Sequence, residues 1–315
     1  MTQSPLIIGA GFTGLLAAHA WPTAQIIEAA PTPKQTHKAL MRFRTDAVSV
    51  LTGIEFRKVM VRKGIFYHGQ FAPPSISIAN LYARKVVGRV VDRSIWNLDP
   101  VERFIAPEDF YDQLVDAVQW RIRFNQPYIA GAMVNEDGII NTAPLPVILQ
   151  AHELAPDIMQ HVQCRKSPIG VRRWRVHGAD VFQTVYFPDP ELAIYRISIT
   201  KDLLIAEEMR HEDGRGYQQD AEVVNNLIQQ AFGITPDQLE FIDATHQSYG
   251  KVDELPPALR KQVLFELTAK HRIYSLGRFA TWRNILLDDV VQDINVIKRL
   301  LKTRGAYDAS KVAAQ

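Results

Sequence analysis

The chain has 315 residues, 47% hydrophobic and 22% charged, and a formal net charge of +2; this excludes a disordered chain and indicates no partner through global charge. Its single cysteine excludes an intrachain disulfide, and no apolar run approaches the ~20 residues that a membrane span needs. Because the first predicted strand starts within a few residues of Met1, no secretory signal is expected, and we expect a cytoplasmic protein with one large domain or two interleaved ones.

The first predicted unit is a strand, a glycine turn, a helix and a second strand within 28 residues. Its glycines have the spacing G-x-G-x-x-G, which suits a tight turn, close approach of backbone N–H groups to a pyrophosphate, and close helix–strand packing. The helix N-terminus adds positive partial charge, and an acid at the end of the second strand can accept hydrogen bonds from a ribose. We predict a dinucleotide site, which this motif alone does not assign to FAD or NAD. The predicted contacts are Gly9, Gly11, Phe12, Thr13, Gly14, Glu28 and Ala29.

Two segments further along the chain carry an excess of basic residues. Between His37 and Phe104 there are twelve Lys and Arg against five Asp and Glu, and the second segment, CRKSPIGVRRWRVHG, covers 164–178. Local excess of this kind attracts phosphates, although a solvated charged face accounts for the same pattern.

The middle of the chain alternates short apolar and polar segments, which predicts an antiparallel sheet. A helix is predicted from Gln218 to Phe232 and ends at Gly233, and another begins with Thr235 and Pro236 in the N-cap and N1 positions. The predicted strands cover 171–176, 181–187, 193–199 and 203–208.

The polar segment THQSYGKVDELP, at 245–256, is predicted to return from this sheet to the dinucleotide. It contains His246, Tyr249 and Lys251, which are the catalytic candidates. An ordinary surface loop is the alternative interpretation.

The C-terminal stretch begins with the predicted strand RIYSLG and continues into an amphipathic helix whose first turn is acidic. A well-capped terminal helix would explain this pattern, but the stretch also resembles the flavin motif of the superfamily that contains amine oxidases, protoporphyrinogen oxidase and UDP-galactopyranose mutase. In that motif a strand ends in Gly-Arg, an aromatic residue follows, and a helix opens under the flavin ring. The matching positions are Gly277, Arg278, Trp282, Asp288, Asp289 and Val290.

The resemblance implies FAD rather than NAD. It implies that Gly277 and Arg278 lie beside the pyrophosphate and that backbone N–H groups near Asp289 and Val290 face the flavin O2 edge. A third match is GIINTAPLPVIL, at 138–149, which is similar to the central strand and return of the same superfamily.

Two further roles follow from the resemblance. The superfamily usually has a glycine-rich basic segment after the second strand; the paired glycines are missing here, and Arg42 and Arg44 are expected to supply the charge near the FAD phosphates. In amine oxidases a lysine lies near flavin N5, often through a water, and Lys251 is its candidate counterpart.

The expected fold is α/β, with a Rossmann-like FAD-binding domain and an inserted substrate domain made of an antiparallel sheet and helices. The predicted FAD-binding domain comprises 1–60, 100–148 and 268–315, and the predicted substrate domain comprises 61–99 and 149–267.

The predicted function is that of an FAD-dependent oxidoreductase of the amine-oxidase type, which takes hydride from a C–N bond. The chain is also similar to compact bacteriophage oxidoreductases in HKALMRFRTDAVSVLTGI and IYSLGRFATWRNILLDDVV. Some of those resemble phage enzymes that oxidise an amino-acid-modified thymidine in DNA, such as glycyl-thymidine. That similarity makes modified DNA a candidate amine-bearing substrate, in the host cytoplasm, with phosphate contacts from the basic segments.

Two alternatives stay open at this point. One is a flavin-dependent isomerase similar to UDP-galactopyranose mutase, in which reduced flavin acts as a nucleophile. The other is a catalytically silent FAD-binding protein with a structural or partner-binding role. The sequence predicts no metal, and it specifies neither the oligomeric state nor the electron acceptor.

Overall fold

The computed structural model describes residues 4–92, 94–133, 135–209 and 220–313, with side chains described up to residue 303 except that of residue 94. The strands are β1 (Leu6–Ile8), β2 (Gln25–Ile27), β3 (Arg57–Tyr67), β4 (Gln70–Phe71), β5 (Val101–Ile105), β6 (Ile122–Arg123), β7 (Ile139–Asn141), β8 (Lys166–Val176), β9 (Val181–Tyr186), β10 (Ile194–Lys201), β11 (Leu203–Met209), β12 (Leu239–Val252) and β13 (Ile273–Ser275). The helices are α1 (Phe12–Ala20), α2 (Ala47–Thr52), α3 (Ile76–Val87), α4 (Phe110–Val118), α5 (Leu145–Ala151), α6 (Pro156–Met159), α7 (Ala221–Phe232), α8 (Pro257–His271), α9 (Arg278–Thr281) and α10 (Leu287–Ala313). None of these described helices is both long enough and apolar enough to cross a membrane.

The first sheet has five parallel strands in the order β13-β7-β1-β2-β6. Successive side chains of a strand point to opposite faces, so a short apolar strand buries both. Ile7 and Ile26 pack on one face against α1, α4 and α10, whereas Ile8 and Ile27 pack on the other against α5 and α8. This is the doubly wound arrangement that the strand, turn and helix pattern predicted.

The second sheet has the order β12-β8-β11-β10-β9-β3-β4, with β5 paired to β3. Only the β3–β9 pair is parallel among the described pairs of this sheet. One face packs on α3 through Tyr82 and Val86, and the other packs on α7 through Val224 and Ile228. Strands β8 to β11 confirm the antiparallel sheet predicted for the middle of the chain.

One predicted element is wrong in this region, and the structure also decides against an alternative that the sequence left open. Thr235 and Pro236 open a single 3-10 turn at Pro236–Gln238 rather than a helix, although Thr235 and Gln238 do form a capping box. The chain then enters β12, which runs as far as Val252, so the segment at 245–256 begins as strand and not as a polar loop. Pairing with the 11-residue strand β8 explains both differences, because it satisfies a long backbone that local propensity left undecided.

Helix α7 ends at Gly233 in the left-handed conformation, as predicted. Its described start is Ala221, with the Asp220 side chain accepting from the backbone N–H of Glu222, whereas the start predicted at Gln218 lies outside the described residues.

The predicted domain boundaries stay a prediction, but two elements cross them. Strand β5 was assigned to the cofactor domain and pairs with β3 of the second sheet. Helix α8 was assigned almost wholly to the substrate domain, and its Val263 and Leu267 pack with Ile139 and Ile273 of the first sheet.

Candidate functional site

The glycine turn connects β1 to α1 at the edge of the first sheet where its strands end. Gly9 has φ +94°, a conformation that L side chains rarely adopt. A Cβ on Gly14 would overlap the carbonyl oxygen of Gly9, whereas a Cβ on Gly11 would meet nothing within 4 Å. The turn is therefore tight at its first and third glycines and open at its second.

The other two sequence matches meet the same turn. The hydroxyl of Thr142, just after β7, donates to the carbonyl of Ile8 at 2.6 Å and would lie 2.9 Å from a Cβ on Gly9. Gly277 has φ +91°, and a Cβ there would lie 2.7 Å from the Thr13 side chain. Segments more than 100 residues apart in the chain thus surround one turn.

Glu28 lies where the prediction expected a ribose-binding acid. Its carboxylate accepts hydrogen bonds from the N–H of Ala10 at 2.7 Å and of Ala30 at 2.8 Å, which fixes its position beside the turn. The intervening Ala29 is exposed.

This geometry fits a dinucleotide pyrophosphate. Helix α1 has Gly11 as its N-cap, which offers no side-chain cap, and the first N–H groups of a helix lack intrahelical acceptors. The open space at Gly11 is where a phosphate would approach these groups. Phe12 and Thr13 occupy the first two positions of the helix at this opening.

The start of α10 differs from what the resemblance implied. The N–H groups of Asp289 and Val290 both donate to the carbonyl of Leu286, so the helix itself uses them. Helix geometry leaves the N–H groups of Leu287 and Asp288 without intrahelical acceptors, so the polar end of α10 lies two residues earlier than predicted.

The side chain of Asp288 joins α10 to the segment after β2. It is buried and accepts hydrogen bonds from the backbone N–H groups of Arg44 and Thr45 and from the Thr45 hydroxyl. Asp289 accepts from Arg44 Nη2 at 2.6 Å and from the N–H of Leu286. These two acids hold structure together, and neither carboxylate is left free for a cofactor.

Trp282 was predicted among the cofactor contacts, and its side chain is turned into the core. Its side chain has no exposed surface, and its Nε1 donates to the carbonyl of Arg165. A side chain that the protein itself covers completely has no surface to offer a cofactor.

Arg278 lies at the start of α9, next to Gly277. Its guanidinium donates to the carbonyl of Ile285, and burial lowers its pKa. It thus fixes the loop leading into α10 while lying in the neighbourhood of the glycine turn.

Arg42 is directed away from the glycine turn and into the second sheet. Its guanidinium donates to the hydroxyls of Thr184 and Thr200. It also donates to the carbonyls of Gln183 and Ile199, and burial lowers its pKa to about 9. These acceptors occupy the donors expected for FAD phosphates, so the geometry does not support that role for Arg42.

A cluster of polar side chains lies between the glycine turn and the second sheet. Phe12 meets the ring of His37 edge to face, with centroids 6.4 Å apart. Burial, followed by the charge of Arg278, lowers the pKa of His37 to about 4, while Glu207 acts in the opposite direction. Near neutral pH His37 is therefore an uncharged imidazole.

Glu207 is 1% exposed and pairs with Arg196 across β11 and β10. Burial alone would raise the pKa of this carboxyl, but Arg196 outweighs it and holds the pKa below its usual range. Next to them, the Lys251 ammonium lies 4.6 Å from the ring centroid of the buried Tyr195. The site thus has a neutral imidazole, a buried carboxylate and two cations.

The three catalytic candidates do not converge. Lys251 joins the cluster just described, whereas Tyr249 packs against Phe279 and Trp282 with Lys166 above its ring. His246 is exposed. The structure thus places Lys251 in the polar cluster and brings neither His246 nor Tyr249 to it.

His37 and Glu207 were missed by the sequence reasoning. Glu207 did carry a signal, because LLIAEE places acids in an otherwise apolar strand. His37 carried none, since it belongs to an irregular segment whose neighbours in space are distant in sequence.

Part of each basic segment is paired with acids, and the second segment is paired more completely than the first. Ion pairs join Arg57 to Asp180, Lys58 to Glu102, Arg172 to Glu208, Arg173 to Asp243, and Arg175 to both Glu108 and Asp202. The arginines of the second basic segment in particular are directed to carboxylates of the chain itself.

The chain matches no protein-family model, and no curated protein is significantly similar to it in sequence. Solved structures do share its fold. The structure of reduced UDP-galactopyranose mutase has 16% identity and a TM-score of 0.68, covering 96% of this chain and 94% of the other. A fatty acid isomerase from P. acnes that produces CLA has 12% identity and a TM-score of 0.61, covering 95% and 99%.

A putrescine oxidase double mutant, redesigned in its cofactor binding, has 11% identity and a TM-score of 0.53, covering 95% of this chain and 99% of the other. At these identities the likeness shows the fold alone, and it confirms the predicted α/β class with a Rossmann-like parallel sheet beside a second, largely antiparallel sheet.

Proposed function

We propose that this chain is an FAD-dependent oxidoreductase that takes hydride from a carbon–nitrogen bond. The observation that carries the proposal is the packing of Gly277 against Thr13 at the glycine turn, because the two segments expected to form a flavin site then lie in one place. The fold shared with UDP-galactopyranose mutase and putrescine oxidase agrees with FAD as the dinucleotide.

The glycine turn, Glu28 and Gly277 would hold the cofactor. The open position at Gly11 accepts the pyrophosphate, and Glu28 is fixed where a ribose hydroxyl would donate to it. Bound FAD would supply the acceptor for a hydride from the carbon next to an amine nitrogen, leaving an imine that water hydrolyses.

The polar cluster would orient the substrate. Lys251 holds a positive charge over Tyr195 and can hold a water by hydrogen bonding, while neutral His37 can accept a hydrogen bond from an amine. Burial keeps bulk water from the Glu207 carboxylate, and its pairing with Arg196 fixes its orientation before substrate arrives.

The test is anaerobic flavin absorbance on the purified protein. A panel of amino acids and polyamines should bleach the oxidised-flavin band, with recovery in air. In Lys251→Met the bleaching rate should fall by about 100-fold, because general acid–base groups typically contribute that much or more, while FAD remains bound.

Lys166→Met is the matched control, because Lys166 also lies over a tyrosine ring, 3.9 Å from the centroid of Tyr249. It should bleach at close to the unsubstituted rate. Equal losses of bleaching rate in both variants would reject the proposed role of Lys251. No bleaching by any amine would reject the proposed reaction.

For the substrate we propose an amine carried on DNA, in the form of an amino-acid-modified thymidine. The excess of basic residues over 37–104 supports phosphate contacts, whereas the internal pairing of Arg172, Arg173 and Arg175 restricts them to that first segment. Bleaching by duplex DNA bearing glycyl-thymidine, but not by free glycine, supports this substrate; bleaching by free amines alone rejects it and keeps the reaction class.

A mutase-like isomerase is the second candidate, favoured by the TM-score of 0.68 to UDP-galactopyranose mutase. It would require prior reduction with dithionite and would bind UDP-galactose. Turnover of the UDP-sugar by reduced protein, together with no bleaching by amines, would replace the first proposal with this one.

A further inference from the structure

A cavity lies at the edge of the parallel sheet opposite the glycine turn. It borders Ile139, the first residue of β7, and Arg272, which directly precedes β13, whereas the glycine turn follows the last residue of β1. The cavity volume is about 260 Å³. Its lining includes Tyr128, Ile139, His152, Lys270, His271 and Arg272.

Two histidines form the polar wall of this cavity. Tyr128 Oη and His152 Nε2 are 2.8 Å apart, and the rings of His152 and His271 have centroids 4.3 Å apart. Nε2 of His271 is buried and has no hydrogen-bond partner among the described residues. A buried ring nitrogen without a partner costs free energy that a ligand at this point would recover.

The charges around the cavity are mainly positive. Lys270 and Arg272 flank His271 in sequence, and no Asp or Glu belongs to the described lining. Glu266 lies nearby, but its carboxylate pairs with Lys270 and accepts from the N–H of Ala155. The described part of the chain contains no group of three His, Cys, Asp or Glu suited to a metal, so an anion suits this lining better than a cation.

We propose that this cavity binds a small oxyanion, of the size of inorganic phosphate or sulfate, between His271 and the cations beside it. Its volume of about 260 Å³ leaves room for an ion of this size. The site does not depend on the proposed flavin chemistry and lies apart from the glycine turn.

Anion binding should be coupled to protonation of His152. Burial and His271 lower the pKa of His152, so the empty cavity favours neutral His152. The groups that face the pair are Tyr128, Lys270, Arg272 and the Lys270-paired Glu266. A bound anion would favour the charged imidazole, and its affinity should therefore rise as the pH falls.

The experiment is calorimetric titration of the full chain with sodium sulfate at pH 6 and pH 8. Sulfate keeps the same charge over this range, so a change in affinity reports the protein. We expect one sulfate per chain, bound about tenfold more tightly at pH 6 than at pH 8. His271→Gln should weaken binding about tenfold.

Three variants distinguish this cavity from any other anion-binding surface of the chain. Arg272→Asn should also weaken binding, and asparagine tolerates the backbone φ of +56° at this position, so folding is preserved. Lys261→Ala removes an exposed charge of α8, the helix that carries Lys270 and His271, and should leave the sulfate affinity unchanged. Gly11→Ala alters the glycine turn and should also leave the sulfate affinity unchanged.

Sulfate binding that persists in His271→Gln and Arg272→Asn, or that is lost in Gly11→Ala, would overturn the proposal by assigning the ion elsewhere. Failure of the unsubstituted chain to bind sulfate at either pH would overturn it as well. None of these outcomes bears on flavin reduction, so this proposal and the proposed function can fail separately.

Discussion

Gly14 is tightly surrounded and Gly11 has open space around it, although both belong to the same turn. Substituting each with alanine should therefore show which of them affects stability and which affects cofactor binding. Gly14→Ala places a methyl group against the Gly9 carbonyl, which cannot move without shifting β1, and should destabilise the chain by about 3 kcal/mol. Gly11→Ala meets nothing within 4 Å and should leave the stability of the FAD-free chain within about 0.5 kcal/mol, while weakening FAD binding.

Urea unfolding of the FAD-free protein and titration of FAD fluorescence measure the two effects. Equal destabilisation by both substitutions, or undiminished FAD affinity in Gly11→Ala, would contradict the division of roles between the glycines.

At the scale of single residues, the sequence predicts the roles of glycines in turns better than it predicts where side chains point. The spacing of Gly9, Gly11 and Gly14 was sufficient because a glycine's role is set by its own backbone. Trp282 is an example of a direction that was not predicted. Its backbone has a φ of +49° at the end of α9, its side chain is directed into the core, and no local sequence pattern indicates this. Glu207 became a site residue only through a partner on another strand.

At the scale of elements, Asp288 connects the start of α10 with the segment after β2. Its buried carboxylate accepts from two backbone N–H groups and one hydroxyl of 44–45. Asp288→Asn replaces one acceptor oxygen by a donor that faces another donor, and should lower the free energy of unfolding by about 1–3 kcal/mol.

Asp289→Asn is the matched control, because Asp289 is more exposed and its ion pair with Arg44 lies at the surface. Its effect should stay below about 1 kcal/mol. Chemical denaturation of both variants measures the difference, and an equal loss in the two would mean that Asp288 does not anchor the segment.

Elements with a regular pattern of their own were predictable, and β12 was not. Strands β8 to β11 alternate apolar and polar residues, and α10 repeats apolar residues at helical spacing. The local sequence of each element therefore predicts its structure. Strand β12 contains polar residues over most of its length and forms because β8 offers it a long unpaired edge. Pairing of this kind is a tertiary property that a single segment does not encode.

At the scale of the whole molecule, the site is a product of how the two sheets face each other. The order of strand, glycine turn and C-terminal motif predicted the first sheet and its turn, because parallel strands direct their carboxyl ends to one edge. The polar cluster opposite the turn required His37 from a loop and Glu207 from the second sheet, and no sequence pattern relates those two positions.

His37 makes the joint between the two sheets sensitive to acid. Its pKa in the folded chain is about 4, below the ~6.5 of an unperturbed histidine, because burial and Arg278 disfavour the charged form. Between these values the unfolded chain binds a proton that the folded chain does not, so stability falls as the pH drops from about 6.5 towards 4.

The variant His37→Gln should lose this component, so the difference in unfolding free energy between the unsubstituted chain and the variant should change by up to ~1.4 kcal/mol per pH unit in that window. Above pH 7 the difference should be constant. His161→Gln, at an exposed histidine, is the control and should parallel the unsubstituted chain at every pH. Unfolding curves at pH 4.5, 5.5, 6.5 and 7.5 measure the effect, and parallel lines for His37→Gln would mean that this imidazole takes up its proton in the folded chain as readily as in water.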